Sequence, residues 1–363
     1  MAIRKKDHII SIVNDLIIDY PSPINISNWW NFGSFLGIFM VFQILTGIFL
    51  RIHFIARTEL AFDSVISILH NVNIGWLFRS FHATGASFIF IFVYLHVVRG
   101  IYFQSFIFTP KTWISGIIIL LLLMLTAFLG YVLPWGQMRF WAATVITNII
   151  SAVPVVGVEI VQWLWGGFAV GQATLTRFYS FHFVVPFLIL GLIFGHLIIL
   201  HQTGSNNPLN ISRSKNKVPF SHYFVFKDMF RFLVIIFIFI LSLLFSPIIF
   251  NEPENFIAAN PLSTPAHIKP EWYFLWAYAI LRAIPRKLGG VLAILMAILV
   301  FFMFPLKLNK SNFSIFKKVF YFWLRVLLIL SWIGGCPVEW PYDLLSKLSC
   351  LTYFISVIFL FIF

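Results

Sequence analysis

The chain has 363 residues, of which 60% are hydrophobic, 19% aromatic and only 10% charged. Such a composition excludes a water-soluble globular domain and reads as a protein that crosses a membrane many times. The net charge of +13 invites a nucleic-acid reading, but the placement of the charges points elsewhere, and Cys336 and Cys350 support neither a disulfide framework nor a metal finger.

In chain order, Met1 to Tyr20 is basic at its start but has no secretory h-region or A-x-A cleavage site, so insertion is expected to begin with the first long apolar span. Hydropathy marks eight spans, at 29–52, 76–103, 113–134, 174–201, 228–248, 288–306, 319–338 and 345–363. Eight crossings put both termini on one side. That side collects 15 bases, including Arg4, Lys5, Lys6, Arg99, Arg213, Lys215, Lys227 and Lys310, against 4 acids, Asp7, Asp15, Asp19 and Asp228. The opposite side has 10 bases and 8 acids. This asymmetry is a topology signal with the termini facing the cytoplasm-like compartment; no nucleic-acid partner is expected. The long connections lie outside. They hold two amphipathic stretches, Phe140 to Ser151 and Glu271 to Ile284, suited to lie at the interface or cover a cavity.

The most informative spacing involves histidine. His82 and His96 share the second span, His182 and His196 the fourth, each pair 14 residues apart. Fourteen helical steps return to within about 40° of the same face and separate the residues by about 21 Å. Supercoiling of a bundle absorbs much of the drift. Ionisable residues inside membrane helices are costly and usually functional. Two such helices side by side offer His82 with His182 near the outer surface and His96 with His196 near the inner one, a scaffold for two stacked haems. A buried imidazole bonded to a carbonyl is the competing reading for each histidine taken alone.

Glycines repeat the interval, with Gly33 and Gly47 on the first span and Gly116 and Gly130 on the third. A helix without a Cβ can approach a flat macrocycle closely, although small residues also serve helix packing. Arg79 and Arg99 each stand one turn closer to a membrane face than their histidine. There a guanidinium suits a haem propionate, with snorkelling to headgroups as the alternative. Glu271, within Pro270-Glu271-Trp272-Tyr273, is a candidate proton acceptor whose pKa burial would raise; a solvated acid in an aromatic belt is the other reading. His201, Lys227 and Asp228 cluster on the inner side. They suit a proton relay, though a helix-end salt bridge explains Lys227 and Asp228 as well.

With these residues laid out, the chain resembles the cytochrome b family of mitochondrial cytochrome bc complexes (complex III). The resemblance covers nearly the whole length. Besides the histidine pairs, it rests on Gly130-Tyr131-Val132-Leu133-Pro134-Trp135-Gly136-Gln137-Met138, the run Trp163 to Phe168, the run His201 to Pro208, and Pro270 to Tyr273. It implies an all-α polytopic membrane protein of eight transmembrane helices, with a four-helix bundle holding two b haems. Residues 1–210 would be the haem-binding region (spans 1–4) and 211–363 the C-terminal region (spans 5–8). The implied activity is quinol:cytochrome c oxidoreduction coupled to proton translocation in the mitochondrial inner membrane, with both termini on the matrix side. Ubiquinol would be oxidised in an outer pocket that includes Met124, Phe128, Tyr131, Ile146, Pro270, Glu271, Phe274 and Tyr278. Electrons would divide between a Rieske iron–sulfur protein, leading to a membrane-anchored c-type cytochrome, and the haems. The His82/His182 haem would be the low-potential one and the His96/His196 haem the high-potential one. Ubiquinone would be reduced in an inner pocket using Ser34, His201, Phe220, Lys227 and Asp228. A dimeric complex with other complex III subunits is implied, and the absence of a presequence agrees with synthesis inside the organelle.

Some positions depart from the family pattern. Ala142 replaces a usual glycine, and Arg139 puts a charge where a small polar residue is usual; Arg51 and Trp340 are also uncommon. The rival readings are a two-haem ferric reductase or oxidase, which usually carries a flavin and nicotinamide domain whose GxGxxG unit has no counterpart here, the membrane subunit of a quinone-linked dehydrogenase, and a carrier lined by the intramembrane histidines.

Overall fold

The computed structural model describes residues 7–209, 216–245, 250, 252–307 and 313–363. The bases Arg4, Lys5, Lys6, Arg213, Lys215 and Lys310, the division at 210/211 and the end of the fifth span lie outside the described residues. Among the described residues the chain is mostly helical. The α-helices in order are α1 (His8–Val13), α2 (Phe32–His53), α3 (Ala61–His70), α4 (Gly75–Tyr102), α5 (Ser105–Phe108), α6 (Pro110–Val132), α7 (Gln137–Asn148), α8 (Gly157–Trp165), α9 (Gln172–Thr203), α10 (Tyr223–Phe245), α11 (Leu275–Ala283), α12 (Lys287–Leu299), α13 (Phe313–Gly334) and α14 (Tyr342–Ile362). Two short strands, β1 (Pro21–Pro23) and β2 (Lys217–Pro219), pair antiparallel.

Seven of these helices are long and apolar enough to cross a membrane: α2, α4, α6, α9, α10, α12 with its 3-10 extension to Leu306, and α14. The eighth long helix, α13, has 22 residues. It starts six residues before the hydropathic span because it runs through Lys317 and Lys318, charges that hydropathy places outside. Lys317 lays its ammonium over the Phe313 ring at 4.4 Å and the Tyr102 ring at 5.9 Å, so aromatic faces take up the charge.

Local signals explain the boundaries. Pro110 opens α6 at its first turn, where no N–H is needed. Gly166 closes α8 with φ +73° and donates to Gln162 O; a Cβ there would meet Ala173 at 2.6 Å. The Pro134-Trp135-Gly136 turn after α6 is tied to the second half of the chain. Gln137 N donates to Ile257 O and Ala259 N to Trp135 O, both at 3.0 Å.

α2 packs on α4, α6 on α9, and α2 also meets α9, which assembles the expected four-helix bundle. The second half is not a separate body, because both large hydrophobic cores mix residues from the two regions. One joins Ile101, Phe106 and Trp113 to Trp276, Phe304 and Tyr353. The other joins Phe39, Phe92 and Ile189 to Phe239 and Tyr273. Polar atoms in the apolar interior are bonded across the same seam: Trp113 Nε1 donates to Phe301 O at 2.8 Å and Trp272 Nε1 to Ser87 Oγ at 3.1 Å; within the second half Tyr353 Oη donates to Ala297 O at 2.9 Å.

Candidate functional site

The bundle carries the recurring interval on all four helices. His82 and His96 lie on α4, His182 and His196 on α9, Gly33 and Gly47 on α2, and Gly116 and Gly130 on α6. Each glycine faces one histidine. A Cβ built on Gly33 would meet His96 Cε1 at 3.2 Å, and one on Gly47 would meet His82 Cε1 at 3.1 Å. On the other helix pair, Gly116 would meet His196 Cε1 at 3.3 Å and Gly130 would meet His182 Cε1 at 2.3 Å. Space for the rings is therefore made by omitting side chains from the neighbouring helices. At the outer level the His82 and His182 ring centroids are 6.2 Å apart with planes at 87°. That gap admits one metal held at about 2 Å from a nitrogen of each ring.

The other ring nitrogens have partners. His82 Nδ1 lies 3.0 Å from Thr46 Oγ1, which itself donates to Phe42 O. His182 Nδ1 lies 2.9 Å from Thr126 O, and His196 Nδ1 lies 2.8 Å from Ser115 Oγ, which donates to Thr112 O. These oxygens can accept a proton held on Nδ1, leaving Nε2 with its lone pair toward a metal. His96 differs. Its Nδ1 lies 3.3 Å from Arg99 Nη2, and a guanidinium only donates. Arg99 sits over the Trp30 ring at 5.3 Å with a buried Nε that has no partner. The donor set thus fits a bis-histidine haem at the outer level. At the inner level Ser115 gives His196 the same arrangement, whereas His96 has the Arg99 donor beside its Nδ1.

One continuous cavity runs from the outer histidine pair to the outer loops. Besides Gly47, His82, Gly130 and His182, it is lined by Arg51, Arg79, Tyr131, Arg139, Glu271 and Tyr273. Burial pushes the Glu271 carboxyl up to about 7; Arg139 opposes that rise, Glu252 adds to it, and Arg79 opposes it. Tyr131 and Glu271, expected at one outer pocket, do share it. Tyr278 does not line this cavity. Its hydroxyl donates to Ile268 O at 3.2 Å, and its ring carries the Arg282 guanidinium at 5.6 Å.

The inner residues form three groups. Ser34 Oγ donates to Asn31 O at 2.9 Å, and Asn31 Nδ2 donates to Asp228 Oδ1 at 2.6 Å. Asp228 pairs with Arg231 at 3.2 Å rather than with Lys227, and Arg231 also donates to the side chains of Asn31 and Asn28. Lys227 turns to Tyr223 Oη at 3.2 Å. His201 stacks on Tyr20 with ring centroids 4.2 Å apart, and its buried Nδ1 has no partner. Phe220 joins this last group through its backbone bond to Tyr20 O at 2.9 Å.

Residue-by-residue reading missed Thr46, Ser115, Asn31, Asn255 and Arg231. A usable signal existed for two of them, since Thr46 and Ser115 directly precede the cradle glycines Gly47 and Gly116. The Thr126 acceptor is a backbone carbonyl and has no side-chain signature.

Fold and site define an integral membrane protein built around histidine-bearing helix pairs. Family profiles match the chain as cytochrome b/b6/petB over residues 17–204 and as the C-terminal cytochrome b/b6/petD domain over residues 258–354. The chain belongs to the cytochrome b/b6 family. A chain of a hyperthermophilic respiratory Complex III superposes on it with a TM-score of 0.92 at 31% sequence identity, covering 99% of this chain and 97% of that one.

Proposed function

We propose that the chain is the haem- and quinone-binding subunit of a respiratory quinol:cytochrome c oxidoreductase. In this reading it works with a Rieske protein and a c-type cytochrome in a dimeric complex of the mitochondrial inner membrane, termini on the matrix side, and couples electron transfer to proton translocation. Residues 1–210 carry the haem-binding helices and 211–363 complete the outer and inner quinone pockets. The observation that carries the reading is the fourfold match of a space-making glycine to a histidine on the neighbouring helix.

Two b-type haems, when bound, would supply one-electron carriers. His82 and His182 would hold the low-potential haem and His96 and His196 the high-potential one, with Arg79 and Arg99 available to pair with propionates. Thr46, Thr126 and Ser115 keep the proton on Nδ1 of their histidines. In the outer cavity Glu271 takes the proton of a ubiquinol hydroxyl. A carboxyl held at about 7 is matched to that task near neutral pH, and Tyr131, which lines the same cavity, flanks the head group. On the inner side Ser34, Lys227 and Asp228 bind the quinone. The unpartnered Nδ1 of His201 gives that side a group able to carry a proton.

A dithionite-reduced minus oxidised spectrum of the purified complex, with haem quantified per chain, tests the reading. Two b-type haems are expected. Native material that keeps its partner subunits but contains no stoichiometric haem would overturn it.

A further inference from the structure

Arg139 is a charge that departs from the family pattern, and it lines the outer cavity that Glu271 also lines. It is only 7% exposed, and its Nε has no hydrogen-bond partner. The guanidinium carbon stands 5.3 Å from the centre of the Tyr131 ring. Asn255 ties the two residues together: its Oδ1 accepts from Arg139 N at 3.2 Å, while its Nδ2 donates to Tyr131 Oη at 3.0 Å. The cation is thus fixed at its backbone and along its ring contact, with donors left over for something in the cavity.

A buried cation needs a counter-charge. The charged and titratable groups that act on Glu271 are Arg139 on α7, Arg79 on α4, Tyr131 on α6, Tyr273 beside it, and Glu252. Glu252 is already engaged with Lys269 at 3.2 Å. Glu271 is therefore the carboxylate left to balance Arg139.

We propose that Arg139 is a positioning residue for quinol oxidation, holding the one negative charge of the outer cavity wherever that charge resides. Before the reaction the charge is on Glu271. When the quinol O–H bond breaks, the proton moves to a Glu271 carboxylate oxygen and the electron pair stays on the quinol oxygen. The cavity's charge is unchanged, and the same guanidinium offsets it on either atom. This inference rests on the quinol reading above.

The test uses the purified complex with decylubiquinol as reductant and cytochrome c as acceptor, assayed between about pH 5.5 and 9.5. The variants are Arg139→Ser, which installs the residue type usual in the family, Arg139→Lys and Glu271→Gln. In the native complex the rate rises with pH as Glu271 ionises. Without the cation the carboxylate is less favoured, so the rising limb of Arg139→Ser moves upward by about one pH unit, an effect expected for loss of an opposite charge. Arg139→Lys keeps the limb within about 0.3 of the native position, and Glu271→Gln abolishes it. An unmoved limb in Arg139→Ser overturns the inference, as does an equal displacement in Arg139→Lys, which would make the role steric. If Arg139→Ser loses haem, Arg139→Gln replaces it, and haem loss in both also overturns the inference. A native complex that neither contains b haems nor oxidises quinol fails the proposed function instead.

Discussion

Gly130→Ala is the sharpest perturbation of the histidine cradle. The added Cβ would stand 2.3 Å from His182 Cε1, 2.7 Å from Nδ1 and 2.9 Å from Nε2. Ordinary contact begins at 3.4 Å, so the ring must retreat by about 1.1 Å, the difference between the two distances. Such a retreat stretches the 2.9 Å bond from His182 Nδ1 to Thr126 O beyond hydrogen-bonding range. Losing that bond costs about 1 kcal/mol, and overpacking a rigid interior adds about 1–3 kcal/mol. A loss of about 2–4 kcal/mol corresponds to roughly 30- to 1,000-fold weaker haem retention at the outer level. Gly116→Ala is the control, because its Cβ would lie 3.3 Å from His196 Cε1 and needs almost no adjustment. The assay is haem per chain by pyridine haemochrome, with the reduced-minus-oxidised spectrum of each purified variant. Gly130→Ala is expected to hold close to one haem and Gly116→Ala two. Two haems with native spectra in Gly130→Ala, or equal depletion in both, would refute the reasoning.

The remaining predictions concern the partners of these groups. Thr46→Val removes the oxygen 3.0 Å from His82 Nδ1 at nearly constant volume, so the outer haem should change midpoint potential and bind about 10- to 100-fold more weakly. A redox titration that superimposes on the native curve would count against the role assigned to Thr46. On the inner side, Arg231→Leu leaves Asp228, at 13% side-chain exposure, and the buried Asn31 without their shared donor. It should cost about 3 kcal/mol in thermal stability, part of which Asp228→Asn in the same chain restores. Thermal melts that leave Arg231→Leu at the native midpoint would show that the pair contributes nothing.

Much of the architecture is legible in the chain because the bilayer penalises anything else. Long apolar runs announce α2, α4, α6, α9, α10, α12 and α14, and an ionisable side chain within them demands a reason. The intervals His82 to His96, His182 to His196, Gly33 to Gly47 and Gly116 to Gly130 record the bundle in one dimension, since helical geometry turns equal spacing into equal depth. The ends of α13 were less legible, because hydropathy scores Lys317 as a charge in water although its ammonium rests on the Phe313 ring.

Contacts between residues far apart in the chain were not legible at all. Lys227 and Asp228 are neighbours in sequence, yet Asp228 turns to Asn31, 197 positions away, and to Arg231 one helical turn on. Arg139 stood out as an unexplained charge until Asn255, 116 positions away, aligned it with Tyr131.

What the sequence determined by itself was the set of membrane-crossing helices and the level at which each histidine and glycine sits, because transfer into hydrocarbon and 3.6-residue periodicity are local properties. Only the tertiary structure decided which glycine faces which histidine, which oxygens stand beside Nδ1 of His82, His182 and His196, and that Asp228 pairs with Arg231 and not Lys227. Those choices depend on how helices rotate and pack against one another, and short-range hydrogen bonds and screened charges are specific only at the few ångströms that packing sets.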